Sequence, residues 1–152
     1  MEIIAWLVLR IIYAWMFIYP IKALTADWEG TKNTVRLLTP IFVNLSSMMM
    51  IAVMFIGGVM ILLGVYAQIA GIALCAYCLV GYYIHNKIAQ NALKSEISSQ
   101  ISDKDQEVIN NIKAAAAVGN ITSAQKNIVL AAVGFFFFFI GSGPFSITNN
   151  LF

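Results

Sequence analysis

IIAWLVLRIIYAWMFIYP, residues 3–20, is the stretch whose reading decides the class of this protein. It is apolar from end to end except for Arg10 and the terminal proline. About 20 mainly apolar residues, rising ~1.5 Å each, cross a ~30 Å hydrocarbon core, so this run reads as a spanning helix that Pro20 bends or stops. A guanidinium does not lose its proton in a protein. A charge near the middle of a span costs roughly 2.5–3.5 kcal/mol even on the lenient insertion scale. Arg10 therefore needs an acceptor or a task.

The rest of the chain agrees with a membrane reading. Of 152 residues, 61% are hydrophobic and only 11% charged, with a mean hydropathy of +0.83; a soluble domain carries about 25% charged residues. Too few charges remain to cover a wetted surface, and at this length residues 1–152 make one integral membrane domain. The net charge of +2 gives no reason to expect nucleic acid. Cys75 and Cys78 both lie in an apolar segment, which excludes a secreted disulfide scaffold. The amino terminus has Glu2 where a basic region should be and no small-x-small site before Trp28, so it reads as a retained first span.

Four segments are long and apolar enough to cross: about 3–24, 41–63, 65–84 and 124–140. Pro40 suits an early position of the second span. A very short turn between Gly64 and Gln68 makes spans two and three antiparallel neighbours, and Gly141-Ser142-Gly143-Pro144 stops the fourth. In the connection 85–123, Ser102-Asp103-Lys104-Asp105 resembles a capping box. Val108, Ile109, Ile112, Ala115 and Ala116 recur at helical spacing, and Gly119-Asn120 would close the segment. The expectation is an all-α four-span bundle with a short amphipathic helix near the bilayer surface between spans three and four.

Lysine and arginine give the orientation. Lys22, Lys32 and Arg36 lie in the first long connection; Lys87, Lys94, Lys104, Lys113 and Lys126 lie in or beside the second. The amino terminus, the short turn and the carboxyl tail have none. Both long connections are expected in the cytoplasm and both termini outside, across a bacterial or archaeal inner membrane.

Three motifs in order resemble the DoxX family of small four-span membrane proteins, which includes the related DoxD-like quinone oxidoreductase subunits. The first is Leu9-Arg10-Ile11 followed by Phe17 and Lys22. The second, Gly57-Gly58-Val59-Met60-Ile61-Leu62-Leu63-Gly64, is similar to the family's Gly-Gly-x-x-Leu-Leu-Leu-Gly. The third, Gly141-Ser142-Gly143-Pro144-Phe145-Ser146-Ile147, is similar to its Gly-x-Gly-x-x-Ser-Leu-Asp ending. Met54 or Phe55 stands where the family often has glutamate, and Thr148 stands where it often has aspartate. The resemblance implies a bundle that often accompanies redox or oxidative-stress proteins.

Each candidate residue has a structural and a functional reading. Trp6, Tyr13 and Phe17 share the helical face of Arg10. Arg10 either bonds backbone carbonyls or hydroxyls in the bundle, or faces a cavity and holds a lipid phosphate or a quinone oxygen. The pair Cys75 and Cys78 has redox or metal spacing, yet it sits inside a span where free cysteine behaves as a small buried hydrophobe. His85 continues that face, but it lies roughly 10 Å along the axis from Cys78 and roughly 15 Å from Cys75. Zinc ligands converge within about 2.3 Å of the ion. Met48-Met49-Met50 with Met54 and Met60 reads as packing. Gly57, Gly58, Gly64 and Gly71 offer close-approach surfaces.

No phosphate loop, dinucleotide glycine fingerprint or Gly-x-Ser-x-Gly occurs, and one histidine with no acid inside the spans does not make an acid–base set. The chain alone points away from an enzyme, and no cofactor follows from its residues. The expectation is an accessory or structural subunit of a larger membrane assembly, redox or respiratory by the resemblance. It would sit in the bilayer against other membrane subunits and touch a soluble partner at residues 85–123. The alternatives are an oxidoreductase component holding a quinone or lipid at Arg10, and a small transporter, for which no inverted repeat is evident.

Overall fold

The computed structural model describes residues 2–95 and 102–148. It contains α1 (Glu2–Ile18), α2 (Ile21–Ala26), α3 (Trp28–Arg36), α4 (Val43–Leu63), α5 (Ala67–Lys94) and α6 (Asp103–Ile140), with no strand among the described residues. Among the described residues four stretches are long and apolar enough to cross a membrane: Glu2–Ala26, Val43–Leu63, Ala67–Lys94 and Lys104–Ile140. The all-helical four-span architecture stands.

The first span breaks at Tyr19-Pro20 because proline has no N–H to continue the ladder, and α2 restarts at once. α3 is a helix the hydropathy reading passed over. Asp27 caps it, Oδ1 accepting from the Gly30 N–H at 3.0 Å. Thr31 and Val35 are its buried face, and it rests on α4. The second span starts at Val43, after Phe42 in the left-handed region (φ 55), so Pro40 lies ahead of the helix and not in its first turn.

The separate amphipathic helix is not present. Residues 103–123 are the first half of α6, which runs 38 residues without interruption, and α5 continues past Ile84 to Lys94. Ser102 makes no side-chain cap bond. Gly119-Asn120 does not end the helix, because Ala114–Ala117 favour helix and α5 supplies a packing partner along this stretch. Asn120 points across the pair: its Nδ2 donates to the Ala116 carbonyl at 2.9 Å while its Oδ1 meets His85 Nδ1 at 2.9 Å.

α5 and α6 form the most extensive contact in the protein, an antiparallel pair in which Gly71 meets Gly134 and Ala89 and Ala117 are buried. At ~1.5 Å per residue, α5 and α6 are roughly 42 and 57 Å long. A ~30 Å hydrocarbon core cannot contain either. The pair therefore leaves the bilayer as a two-helix arm carrying Asn86, Gln90, Asn91, Lys94, Lys104, Asp105 and Glu107.

Inside the span region, Tyr13, Phe17, Met54, Ile61, Leu74, Cys78 and Phe137 make the core. Lipid tails are as apolar as these side chains, so their burial gains little over lipid contact, and close packing has to hold the helices together. Gly57 faces Leu74 and Gly58 faces Ile18, so one adjacent pair lets both α5 and α1 approach α4. Of the run Phe135–Phe139, Phe137 enters the core, while Phe135, Phe136 and Phe139 face outward.

Three helix carboxyl ends are closed by a cation from a neighbouring helix. Arg10 reaches the end of α4, Lys87 Nζ donates to the Leu37 carbonyl after α3 at 2.8 Å, and Lys113 Nζ donates to the Ser95 carbonyl after α5. Each places a positive charge where the helix dipole presents its negative end.

Candidate functional site

Arg10 is 2% exposed and lies level with the last turn of α4. α4 ends with Gly64 at φ 66; the Val65 N–H bonds the Met60 carbonyl at 2.9 Å and the Gly64 N–H bonds the Ile61 carbonyl at 3.2 Å. Glycine serves there because the left-handed conformation strains other L-residues. Arg10 adds a second donor to the Ile61 carbonyl and a donor to the Leu62 carbonyl. Its Nε donates to the Ile61 carbonyl at 2.9 Å and its Nη2 to the Leu62 carbonyl at 2.6 Å. Its Nη1 crosses to the Phe145 carbonyl in the closing loop at 3.2 Å.

The closing loop is tied to the same turn. Thr148 Oγ1 accepts from the Tyr66 N–H at 2.8 Å, and the Thr148 hydroxyl and N–H both reach the Gly64 carbonyl at 3.3 Å. Phe145 holds φ 59, a left-handed conformation costing about 1–2 kcal/mol in a residue with a Cβ. That twist aims its carbonyl at Arg10. A Cβ on Gly64 would stand 2.7 Å from Arg10 Nη2 and 2.9 Å from Ser146 Cα, and one on Gly143 would stand 2.4 Å from the Trp6 ring. Arg10, Gly64, Gly143 and Ser146 thus come together at one end of the bundle, and Gly141, two residues before Gly143, is buried. Lys22 stands apart, exposed on α2.

The aromatic residues on the Arg10 face turn toward α6 and α5. Trp6 stacks on Phe136 at 5.4 Å between ring centroids, and the Tyr13 hydroxyl donates to the Leu130 carbonyl at 3.0 Å. Phe17 meets Tyr13 and Tyr77 edge-on. Cys75 and Cys78 are buried free thiols, and the nearby Tyr77 hydroxyl bonds Met54 Sδ at 3.0 Å. His85 is held by Asn120 and is not joined to the cysteines; among the described residues no group of three His, Cys, Asp or Glu side chains could hold a metal.

Thr148, the loop tie of the site, was not singled out from sequence, and neither were, elsewhere in the fold, Asn120 as the partner of His85, Lys87 and Lys113 as helix-end cations, or Gly134 opposite Gly71. α1 and α6 also bound an open apolar groove of about 360 Å³, lined by Leu9, Val129, Ala132, Val133 and Phe136. Chemically, the Arg10 cluster is a backbone clamp: three nitrogens on three carbonyls of the chain's own turn and loop.

The model of the DoxX family matches residues 5–87, more than half of the chain. That span includes Arg10 and the Gly57-to-Gly64 motif and stops short of the closing loop. No curated protein and no solved structure gives a significant match.

Proposed function

The chain belongs to the DoxX family, and from that premise we propose that it serves as an accessory or structural subunit of a larger membrane assembly, redox or respiratory in kind. The observation that carries this reading is the α5–α6 arm. From Gly81 to Lys94 it extends roughly 20 Å along α5, past the level where the chain becomes polar. Its outer face carries Val108, Ile112, Ala115 and Gly119 at positions i, i+4, i+7 and i+11, all exposed. Ile112 is 63% exposed and Leu93 61%. Apolar side chains aligned on a helix outside lipid mark a surface for another helix or a soluble subunit.

A quinone oxygen or lipid phosphate at Arg10 would have to displace carbonyls already bonded at 2.6–3.2 Å. This favours the subunit reading over a ligand held there. In native membranes solubilised in a mild detergent, the wild type should migrate with an assembly larger than itself. The Val108→Glu/Ile112→Glu variant, at unchanged helicity, should migrate alone. A wild type that is always a lone monomer would overturn the reading.

The arm, Lys126 at its membrane end and the α2–α3 connection together carry every cation except Arg10. The positive-inside bias supports an inner membrane protein with the arm in the cytoplasm and both termini outside. A phosphatase reporter fused after Phe152 should be active and a cytoplasmic fluorescent reporter dark. The reverse pattern would invert the topology.

A further inference from the structure

We propose that the groove between α1 and α6 is a binding site for an anionic phospholipid of the leaflet at the arm end, its phosphate on Lys126 and one acyl chain along the groove. The groove is shallow and open along its length, with a volume of about 360 Å³. Its five lining residues, Leu9, Val129, Ala132, Val133 and Phe136, are all apolar. Two contacts fix the spacing of its walls: the bond from the Tyr13 hydroxyl to the Leu130 carbonyl at 3.0 Å and the Trp6–Phe136 stack at 5.4 Å. Ala132 leaves room where a larger side chain would fill it. In a bilayer such a groove opens onto hydrocarbon, and an extended acyl chain is the occupant the medium supplies.

Lys126 supplies selectivity. Lys126, Val129, Val133 and Phe136 run i, i+3, i+7 and i+10, one stripe along α6, and Lys126 is exposed at its arm end. From Lys126 to Phe136 the rise is ~15 Å, half of a ~30 Å core and so the depth of one leaflet. The ion pair found among the described residues is Lys32–Glu29, and Lys126 takes no part in it. The nearest carboxylate along its own helix, Glu107, is ~28 Å away by the same rise. Among the described residues no carboxylate pairs with Lys126, and a basic side chain at the head-group level attracts an anionic head group. Arg10 is committed to three carbonyls.

The test uses the full chain with Trp15→Phe and Trp28→Phe, leaving Trp6 as the fluorophore at the far end of the groove. It is placed in phosphatidylcholine vesicles containing phosphatidylglycerol, with one lipid or the other brominated near the methyl ends of its chains. Brominated phosphatidylglycerol should quench Trp6 with a relative affinity roughly fivefold above that of brominated phosphatidylcholine, the factor expected of one lysine at a membrane surface. Lys126→Gln, a change at an exposed position, should bring the ratio to about one. Ala132→Leu should do the same with the charge intact. Equal quenching by the two lipids in the parent chain would mean ordinary surrounding lipid and overturn the proposal. So would selectivity that survives Lys126→Gln, or a second copy of the chain shielding Trp6 from both lipids. The purified chain is enough for this measurement, so its result does not depend on any assembly.

Discussion

Arg10→Ala should lower the unfolding free energy in mixed micelles by about 3 kcal/mol. Three carbonyls lose a donor. The Ile61 carbonyl keeps the Gly64 N–H, which leaves the Leu62 and Phe145 carbonyls without their Arg10 bonds. A buried acceptor stripped of its partner costs about 1–3 kcal/mol, and these two bonds are part-buried, which puts each toward the lower half of that range. Relief from burying a guanidinium offsets part of the sum. Arg10→Lys should lose about half as much. An ammonium offers three donors from a single point, whereas the guanidinium fork spans the end of α4 and the closing loop at once. Loosening should be local, with faster amide exchange at residues 64–66 and 145–148. A loss under 1 kcal/mol for Arg10→Ala would show that the clamp does not hold the turn. This pattern also separates a clamp from a ligand site, since a residue kept for an external anion would shift affinity and leave the stability of the empty protein nearly unchanged.

The position of Arg10 was legible in the sequence and its acceptors were not, for a definite reason. A search for partners looks for carboxylates, and Met54, Phe55 and Thr148 stand where the family often has polar acids. The actual acceptors are backbone carbonyls, which every residue owns and no side chain announces. Gly64 was the available signal: a glycine ending an apolar run marks a helix end, and a helix end inside a membrane must find donors. Thr148 also has its own logic. Its hydroxyl accepts from Tyr66 and reaches the Gly64 carbonyl; an ionised aspartate there could do the first and not the second.

Hydropathy located the four crossings and misjudged the helices, because a helix does not stop where the lipid stops. The pattern 103–118 is helical as expected, yet Gly119 and Asn120 carried the wrong inference. Nothing lies within 4 Å of a Cβ at Gly119, so that glycine faces open space and is not a terminator. Asn120 is spent on His85 across the pair. α3 is the opposite case: Asp27, Glu29 and Arg36 are helix start and stop signals, but hydropathy does not register a segment that is not apolar. In each case the missing information was what the neighbouring helix offers.

Gly71 is where that neighbour leaves least room. A Cβ at Gly71 would lie 2.6 Å from the Gly134 carbonyl oxygen and 2.9 Å from the Phe138 nitrogen, both backbone atoms of α6. No rotamer change can relieve such a contact; the two helices must part. Overpacking a well-fitted contact costs about 1–3 kcal/mol, and Gly71→Ala should reach the upper end because the obstacle is backbone. Gly71→Leu should leave no folded protein in the membrane fraction. Gly119→Ala is the matched control on the exposed face of α6, where the added methyl meets nothing. It should stabilise by about 0.5–1 kcal/mol through helix propensity. The opposite signs of one chemical change would place the tight crossing at Gly71–Gly134. If both variants unfolded alike, the α5–α6 pair would not be joined there. The crossing also aims the arm, since α5 and α6 run on from it without a hinge. A Gly71→Ala protein that still folds should therefore lose its partner through a misdirected arm, even with Val108 and Ile112 unchanged.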